Sequence, residues 1–222
     1  MTRAGQYWDT HAATWQRFYR AGRVSPGTVV ARFLSSRHTV LTRRLASCDG
    51  TERLLDVGCG SGEMLAAVRT RVARAVGVDA SRPLITAARG AGAGQLAQAD
   101  AHHLPLVDHS FEVVLAVGLL DYVEHPATVL GELARVTVPG GRVLLTYPQR
   151  PSPFSWLRQG WGARVRWGLF RLPPIRNAAT WDELALVLAA AGLIPRCRHS
   201  LWQASWLVEA VRATSGRAAA GG

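Results

Sequence analysis

Between residues 53 and 148, short apolar runs alternate with stretches of helical spacing. This alternation restricts the chain more than any other feature, because parallel strands need crossover helices, and those helices bury both faces of the sheet. Arg-Leu-Leu-Asp-Val at 53–57 leads into glycine-rich sequence and then into a helix-like stretch at 63–72. The pattern recurs with a strand at 75–79, a helical stretch through Arg89, a strand at 95–100, a strand at 111–118, a helix near 126–136, a Pro-Gly-Gly turn and a strand at 142–148. Thr180 with Glu183 three residues on, and Gly192 near the far end, bound a later helix, and 193–200 and 205–213 read as two more strands. The expectation is one α/β domain with a doubly wound, mostly parallel sheet; 222 residues suffice for one ordinary core.

In such a sheet a ligand sits at the carboxyl ends of the strands, beside the point where strand order reverses. Four acids fall at or near strand ends: Asp56, Asp79, Asp100 and Asp121. Each alone reads as a cap or turn residue, but four at consecutive strand ends form a constellation. After Asp56 comes Val-Gly-Cys-Gly-Ser-Gly at 57–62, where Gly58 and Gly60 allow a tight turn and close approach of a ligand to the backbone. A dinucleotide fingerprint wants glycine at 63, where this chain has Glu63, and no Gly-Lys-Ser/Thr follows to grip phosphate. Asp56 stands where a diphosphate would lie, and a cationic ammonium suits that place better. Asp79 can accept from both hydroxyls of a ribose. Asp100 can accept from the exocyclic amine of an adenine while the Ala101 N–H meets a ring nitrogen, with small Ala80 beside the ring. The ligand so described has an amino group, a ribose and an adenine but no phosphate.

The runs Leu-Leu-Asp-Val-Gly-Cys-Gly-Ser-Gly-Glu-Met-Leu (54–65), Val-Gly-Val-Asp-Ala-Ser (76–81), Gln-Ala-Asp-Ala-His-His-Leu-Pro (98–105), the stretch 111–126 and the stretch 132–148 stand in order and at familiar spacing. Together they resemble the class I S-adenosylmethionine-dependent methyltransferases, in particular the small-molecule and lipid branch. The resemblance implies a Rossmann-like sheet with an antiparallel last strand, supplied by 193–213. It implies S-adenosylmethionine as cofactor: Gly58, Cys59 and Gly60 bracket its methionyl part, Asp56 anchors its amino group, Asp79 holds the ribose, and Asp100 and Ala101 read the adenine. The backbone around Ala116 and Val117 passes the sulfonium, and Tyr7 belongs to an N-terminal segment that closes over the cofactor. Trp8, Trp15, Phe18 and Tyr19 share that segment, and packing of an amphipathic helix explains their spacing equally well.

Methyl transfer from a sulfonium is an in-line displacement that gains much from positioning and from exclusion of water. The residues placed to assist are Asp121 and Tyr122, with His125 one turn away. Many relatives carry His where this chain has Asp121, which leaves the identity of a base open. His102 and His103, adjacent in a loop, read as solvated. No spacing matches a zinc or carboxylate metal site, so no metal is expected.

The segments expected are a helical cap at 1–50, a cofactor-binding core at 51–148, a basic aromatic insertion at 149–178, a helix and strands at 179–213 and a disordered tail at 214–222. The net charge of +11 lies in the flanks: residues 1–53 hold nine Arg against three acids, 54–147 seven against nine, and 148–222 ten against three. Residues 150–176 hold six Arg, three Trp, two Phe and no acid, and Leu157, Trp161, Val165 and Leu169 recur every four residues. Such a segment suits a lid packed on its own domain, or a peripheral contact with an anionic membrane surface, and the two are compatible.

The acceptor expected is small and hydrophobic or acidic, such as a lipid, quinone, pigment precursor or secondary metabolite. RNA methylation is the alternative, because Arg interleaved with aromatics can neutralise phosphates and stack bases. The stretch Ala-Val-Gly-Leu-Leu-Asp-Tyr-Val at 116–123 lacks the signature of enzymes that methylate base amino groups, which makes nucleic acid the poorer partner. A nicotinamide-dependent oxidoreductase fits Asp79 but not Glu63 or Asp100, and a chain without Lys has no Tyr-x-x-x-Lys pair. Neither oligomeric state nor the acceptor atom is legible. Three scattered cysteines offer no disulfide framework, and no export signal or apolar span is evident, so a cytoplasmic location is expected, at most peripheral to a membrane.

Overall fold

The computed structural model describes the backbone of residues 3–20, 29–152 and 175–214. Two N-terminal helices, α1 (Arg3–Arg20) and α2 (Val29–Arg44), precede β1 (Arg53–Val57), α3 (Glu63–Val68), β2 (Arg74–Asp79), α4 (Arg82–Gly90), β3 (Gln95–Gln98), β4 (Phe111–Ala116), α5 (Pro126–Val136) and β5 (Thr137–Pro148). After the insertion come α6 (Trp181–Ala190), β6 (Leu193–Leu201) and β7 (Ser205–Arg212). The seven strands lie in the order β3-β2-β1-β4-β5-β7-β6. β1 to β5 are mutually parallel, and β7 runs antiparallel to both its neighbours. The doubly wound sheet with an antiparallel last strand is therefore present.

Side chains of successive strand residues point to opposite faces, and the core divides accordingly. Leu55, Val57, Val114 and Ala116 face a cluster with Leu130 and Leu133 of α5 and Leu184 and Leu188 of α6. Leu54, Val113, Leu115 and Leu144 face the other cluster, with Leu41 of α2, Leu65 of α3 and Ile85 of α4. This two-sided burial is why the central strands read as unbroken apolar runs.

Three local readings are corrected. The helix at 63–72 stops at Val68 and finishes as a 3-10 turn over Arg69–Arg71, a common way to end a helix whose last carbonyls lack partners. The third strand ends at Gln98, so Asp100 lies in the turn beyond it. Pro139-Gly140-Gly141 is not a turn before the fifth strand but a break inside it: Phe111 pairs with Thr137, yet Val113 pairs with Arg142. The extra residues bulge out where Gly140 takes φ 79°. The capping box of α6 forms as expected, Thr180 accepting from the Glu183 N–H while the Glu183 carboxylate accepts from the Thr180 N–H.

Order in the sheet reverses at β1, whose neighbours are β2 and β4. The crevice at the C-terminal ends of β1 and β4 is thus the place for a ligand. α1 packs along α4. Its Trp8 ring meets the Tyr122 ring edge-on at 5.2 Å, so the helix crosses the mouth of the sheet from α4 to the turn after β4. The insertion over 153–174, the tail over 215–222 and the side chains of Trp15, Phe18 and Tyr19 lie outside the described residues. Among the described residues no helix is long and apolar enough to cross a membrane.

Candidate active site

The turn after β1 is built from glycines in the left-handed region: Gly58 at φ 75°, Gly60 at 57° and Gly62 at 85°. The Gly58 and Cys59 N–H groups both donate to the Val78 carbonyl, at 2.8 and 3.1 Å, which ties the turn to the end of β2. A side chain at Gly58 would press on Leu119, 3.1 Å from its methyl, so the glycine turn and the exit of β4 touch. Cys59 is buried against Gly77, and burial pushes its thiol well above the usual range, which leaves it an inert small residue there.

Asp56 is 3% exposed, directly beneath this turn. Burial, and then the charges of Asp79 and Glu63, push its carboxyl up to about 7, while Arg37 of α2 draws it down. A carboxyl so placed ionises readily only when a cation joins it. Asp79 at the end of β2 accepts one backbone N–H on each oxygen, from Gly60 at 2.9 Å and from Ser81 at 2.9 Å. The Ala80 N–H acts on the same carboxylate, and of its about four acceptor positions at least one is left for a further donor. Burial raises the Asp79 carboxyl, those backbone donors lower it, and Asp9 of α1 raises it. Asp9 Oδ1 is itself buried without a donor among the described residues, as is the Ser81 hydroxyl.

Asp100 is fixed by its neighbour. Its Oδ1 accepts from the His102 N–H at 3.0 Å and contacts His102 Nδ1 at 2.7 Å, which holds the carboxyl below the usual range against the effect of burial. His102 Nε2 accepts from the His125 N–H at 3.4 Å, so Nδ1 is the protonated nitrogen and donates to Asp100. His102 is therefore not the solvated loop residue expected from sequence, although His103 is exposed. An Asp two residues before a His, able to close an Asx-type turn, was the available signal. The next residues are pinned to α5: the Leu104 N–H donates to Glu132 at 2.7 Å, and Arg135 donates to Glu132, Asp108 and the carbonyls of Leu104 and Leu106. Ala101 is buried, and Ala80 beside Asp79 is partly exposed.

Ala116 ends β4 fully buried, and Val117 follows it, partly exposed. Gly118, at φ 73°, donates its N–H to the Thr146 hydroxyl at 2.7 Å. The three residues expected to assist chemistry meet different partners. Burial, and then the charge of Asp121, hold the phenol of Tyr147 at the end of β5 above its usual range, Tyr122 packs on Trp8, and His125 is exposed at the start of α5 beside His102, their rings 6.1 Å apart. Asn177 fixes the turn between them by donating to the carbonyls of Leu120 and Val123, at 2.8 and 2.9 Å. Tyr7 stacks on His11 at 4.1 Å, and burial raises its phenol. Arg37 was missed from sequence: its guanidinium lies against Gly118, 2.9 Å from where a Cβ would stand. Among the described residues no three His, Cys, Asp or Glu side chains group as metal ligands.

The arrangement suits a nucleoside with an amino acid tail, with carboxyls for an ammonium, a diol and an aromatic amine around a glycine turn. Comparison with known proteins agrees. Residues 55–145 match the family described as a methyltransferase domain. Demethylmenaquinone methyltransferase from Clavibacter sepedonicus is 37% identical over 125 residues, covering 54% of this chain and 50% of that protein. Ubiquinone biosynthesis O-methyltransferase from Aeromonas salmonicida is 28% identical over 156 residues, covering 65% of this chain and 64% of that one. The matches thus span about half to just under two thirds of those relatives. Magnesium protoporphyrin IX methyltransferase from Synechocystis, solved with bound SAH, superposes with a TM-score of 0.71 at 16% identity, over 94% of this chain and 98% of that one, and shares the fold.

Proposed function

We propose that this chain, which carries a class I S-adenosylmethionine-dependent methyltransferase domain, moves the methyl group of that cofactor to a small hydrophobic or acidic acceptor. The observation that supports it most is the buried Asp56 carboxyl under the glycine turn, beside an Asp79 whose oxygens are held toward the turn by the Gly60 and Ser81 N–H groups. In this reading Asp56 holds the ammonium, Asp79 the ribose hydroxyls, and Asp100, held by His102, the adenine amine, with Ala101 offering its N–H. Gly58, Cys59 and Gly60 give the backbone surface along the methionyl part.

The bound cofactor supplies an electrophilic methyl group on a sulfonium, and its leaving group is a neutral thioether. Gly118 and Leu119, fixed by Thr146 and Gly58, line the face from which an acceptor approaches. Trp8 and Tyr122 cover it and exclude water. Asp121, near Tyr147, is the group best placed to take a proton from a hydroxyl acceptor. Positioning and desolvation account for the rest of the rate.

The names of the relatives point to quinones and pigment precursors as the first acceptors to try. Residues 150–176 supply the acceptor-selecting lid or an anionic membrane contact. Deleting them is expected to abolish turnover of an amphiphilic acceptor or binding to anionic vesicles, and loss of neither contradicts the assignment. The activity itself is tested by calorimetry with S-adenosylmethionine, its demethylated product and NAD, followed by a screen of acceptors with the labelled methyl donor. Binding of the first two and not of NAD is expected; binding of NAD alone would overturn the reading.

A further inference from the structure

Resting on that reading, we infer that Trp202 at the tip of the β6–β7 hairpin, backed by Phe33 of α2, is the platform that receives the acceptor, and that the acceptor is a planar aromatic ring bearing the group to be methylated. The hairpin folds at the carboxyl end of the sheet, because Ser205 at the start of β7 pairs with Pro148 at the end of β5, and the Ala204 carbonyl accepts from the Gln149 N–H at 3.1 Å. Its tip is closed by the Ala204 N–H, which donates to the Leu201 carbonyl at 2.9 Å, and places Trp202 at φ 54° and Gln203 at φ 53°. Two consecutive left-handed positions favour asparagine and glycine, so a bulky side chain there is held against its backbone preference. Leu201 and Ala204 on either side are buried, yet Trp202 keeps 48% of its surface exposed. The turn holds a large apolar ring out at the end of the sheet that carries the site, and a strained position of this kind points to a role beyond folding.

The place of the ring follows from α2. Phe33, Arg37 and Leu41 recur every four residues and so share one face of the helix. Leu41 is fully buried against β1 and β4, and the Arg37 guanidinium lies against Gly118, just past the end of β4. Phe33, one turn or about 5.4 Å further along, therefore stands beyond the strand ends. There it meets Trp202 edge-on, with ring centroids 6.3 Å apart and planes at 78°. The two rings form a corner on the β7 side of Gly118 and Leu119, and the core cluster on which Phe33 packs also contains Leu201 and Leu207, which anchor the hairpin. Aromatic faces and edges attract other rings in offset-stacked or edge-to-face contacts, a gain that a saturated ring of the same size does not offer. A planar acceptor laid on this corner would present its substituent toward the exit of β4.

A platform for a ring and a packing residue differ in one measurable way. Calorimetry on the full chain saturated with S-adenosylhomocysteine compares 2,3-dihydroxynaphthalene with decalin-2,3-diol, which has the same skeleton and hydroxyls but no planar ring, for wild type, Trp202→Leu and Trp202→Phe. Wild type is expected to prefer the planar probe by roughly 3- to 10-fold, the scale of one ring–ring contact. Trp202→Leu is expected to lose that preference while keeping its affinity for the saturated diol and for S-adenosylhomocysteine, and Trp202→Phe to keep part of it. Equal loss for both probes would assign Trp202 a packing role, and an undiminished preference would remove it from the acceptor site; both overturn the inference and leave the proposed activity standing. The comparison on wild type needs no variant to fold, and equal affinities there, or binding of neither probe because residues 150–176 of the chain itself cover Trp202, also overturn it. Failure of wild type to bind S-adenosylhomocysteine overturns the underlying reading instead.

Discussion

Cofactor binding should depend on pH through one buried carboxyl. In the free protein Asp56 is held up to about 7, chiefly by burial and then by the charges of Asp79 and Glu63. An ammonium requires it ionised. Between pH 7 and pH 5.5 the ionised fraction falls from about one half to about 3%, so affinity should weaken roughly 15-fold, or about 1.6 kcal/mol at 1.36 kcal/mol per tenfold step. The ligand's amino group stays cationic over this range, which confines the effect to the protein. At pH 6 binding should release about 0.9 proton per site from this group. Calorimetry in two buffers of different ionisation enthalpy measures that release directly, and Asp56→Asn isolates it: the variant should bind weakly, release less and show a flatter profile. Proton release that is absent in wild type, or undiminished in Asp56→Asn, would refute the pairing of Asp56 with the ammonium.

The same carboxyl sets the sign of a stability effect: its folded value lies above its unfolded one, so the native state binds the proton more tightly and stability falls as pH rises from about 4 to about 7, by at most about 4 kcal/mol. Urea titrations should show this slope in the free protein and a shallower one in Asp56→Asn; an unchanged slope would contradict the burial argument. Asp79→Ala should weaken S-adenosylhomocysteine by about 1–3 kcal/mol, and unaltered calorimetric affinity would remove its ribose contact. His102→Ala should release the Asp100 carboxylate and reduce the preference for adenine over hypoxanthine in paired ligands, whereas retained preference would show that Asp100 needs no partner. Gly77→Val should lower the melting temperature, because a Cβ there falls 2.4 Å from Leu65 and 2.8 Å from Leu96, and a wild-type melting temperature would show that α3 yields.

The fold was legible because a sheet covered on both faces leaves a coarse imprint: apolar runs such as 53–57 and 111–116, separated by helical spacing, with acids where the strands emerge. Asp56 and Asp79 stand at strand ends as that imprint implies, since little else explains a charged residue closing an apolar run. Strand ends were less legible where the chain departs from regular pairing. Pro139-Gly140-Gly141 has the composition of a turn, and only pairing with β4 reveals it as a bulge. Arg37 was invisible for a different reason: it is one of nine Arg in residues 1–53, and nothing in its local sequence marks the one that reaches Gly118. His102 was discounted as one of two adjacent loop histidines, although its spacing from Asp100 permits the turn that fixes both. The partners of Asp121, Tyr122 and His125 were not legible, because the turn from Leu120 to Val123 is held by Asn177, more than fifty residues away in sequence.

The most direct measurement is a crystal structure of the chain with S-adenosylhomocysteine. The ribose hydroxyls are expected at hydrogen-bond distance, about 3 Å, from both Asp79 oxygens, with the adenine amine at Asp100 and the ammonium at Asp56. A ligand bound elsewhere, or a crevice that stays closed at saturating concentration with Asp79 turned from it, would contradict the account.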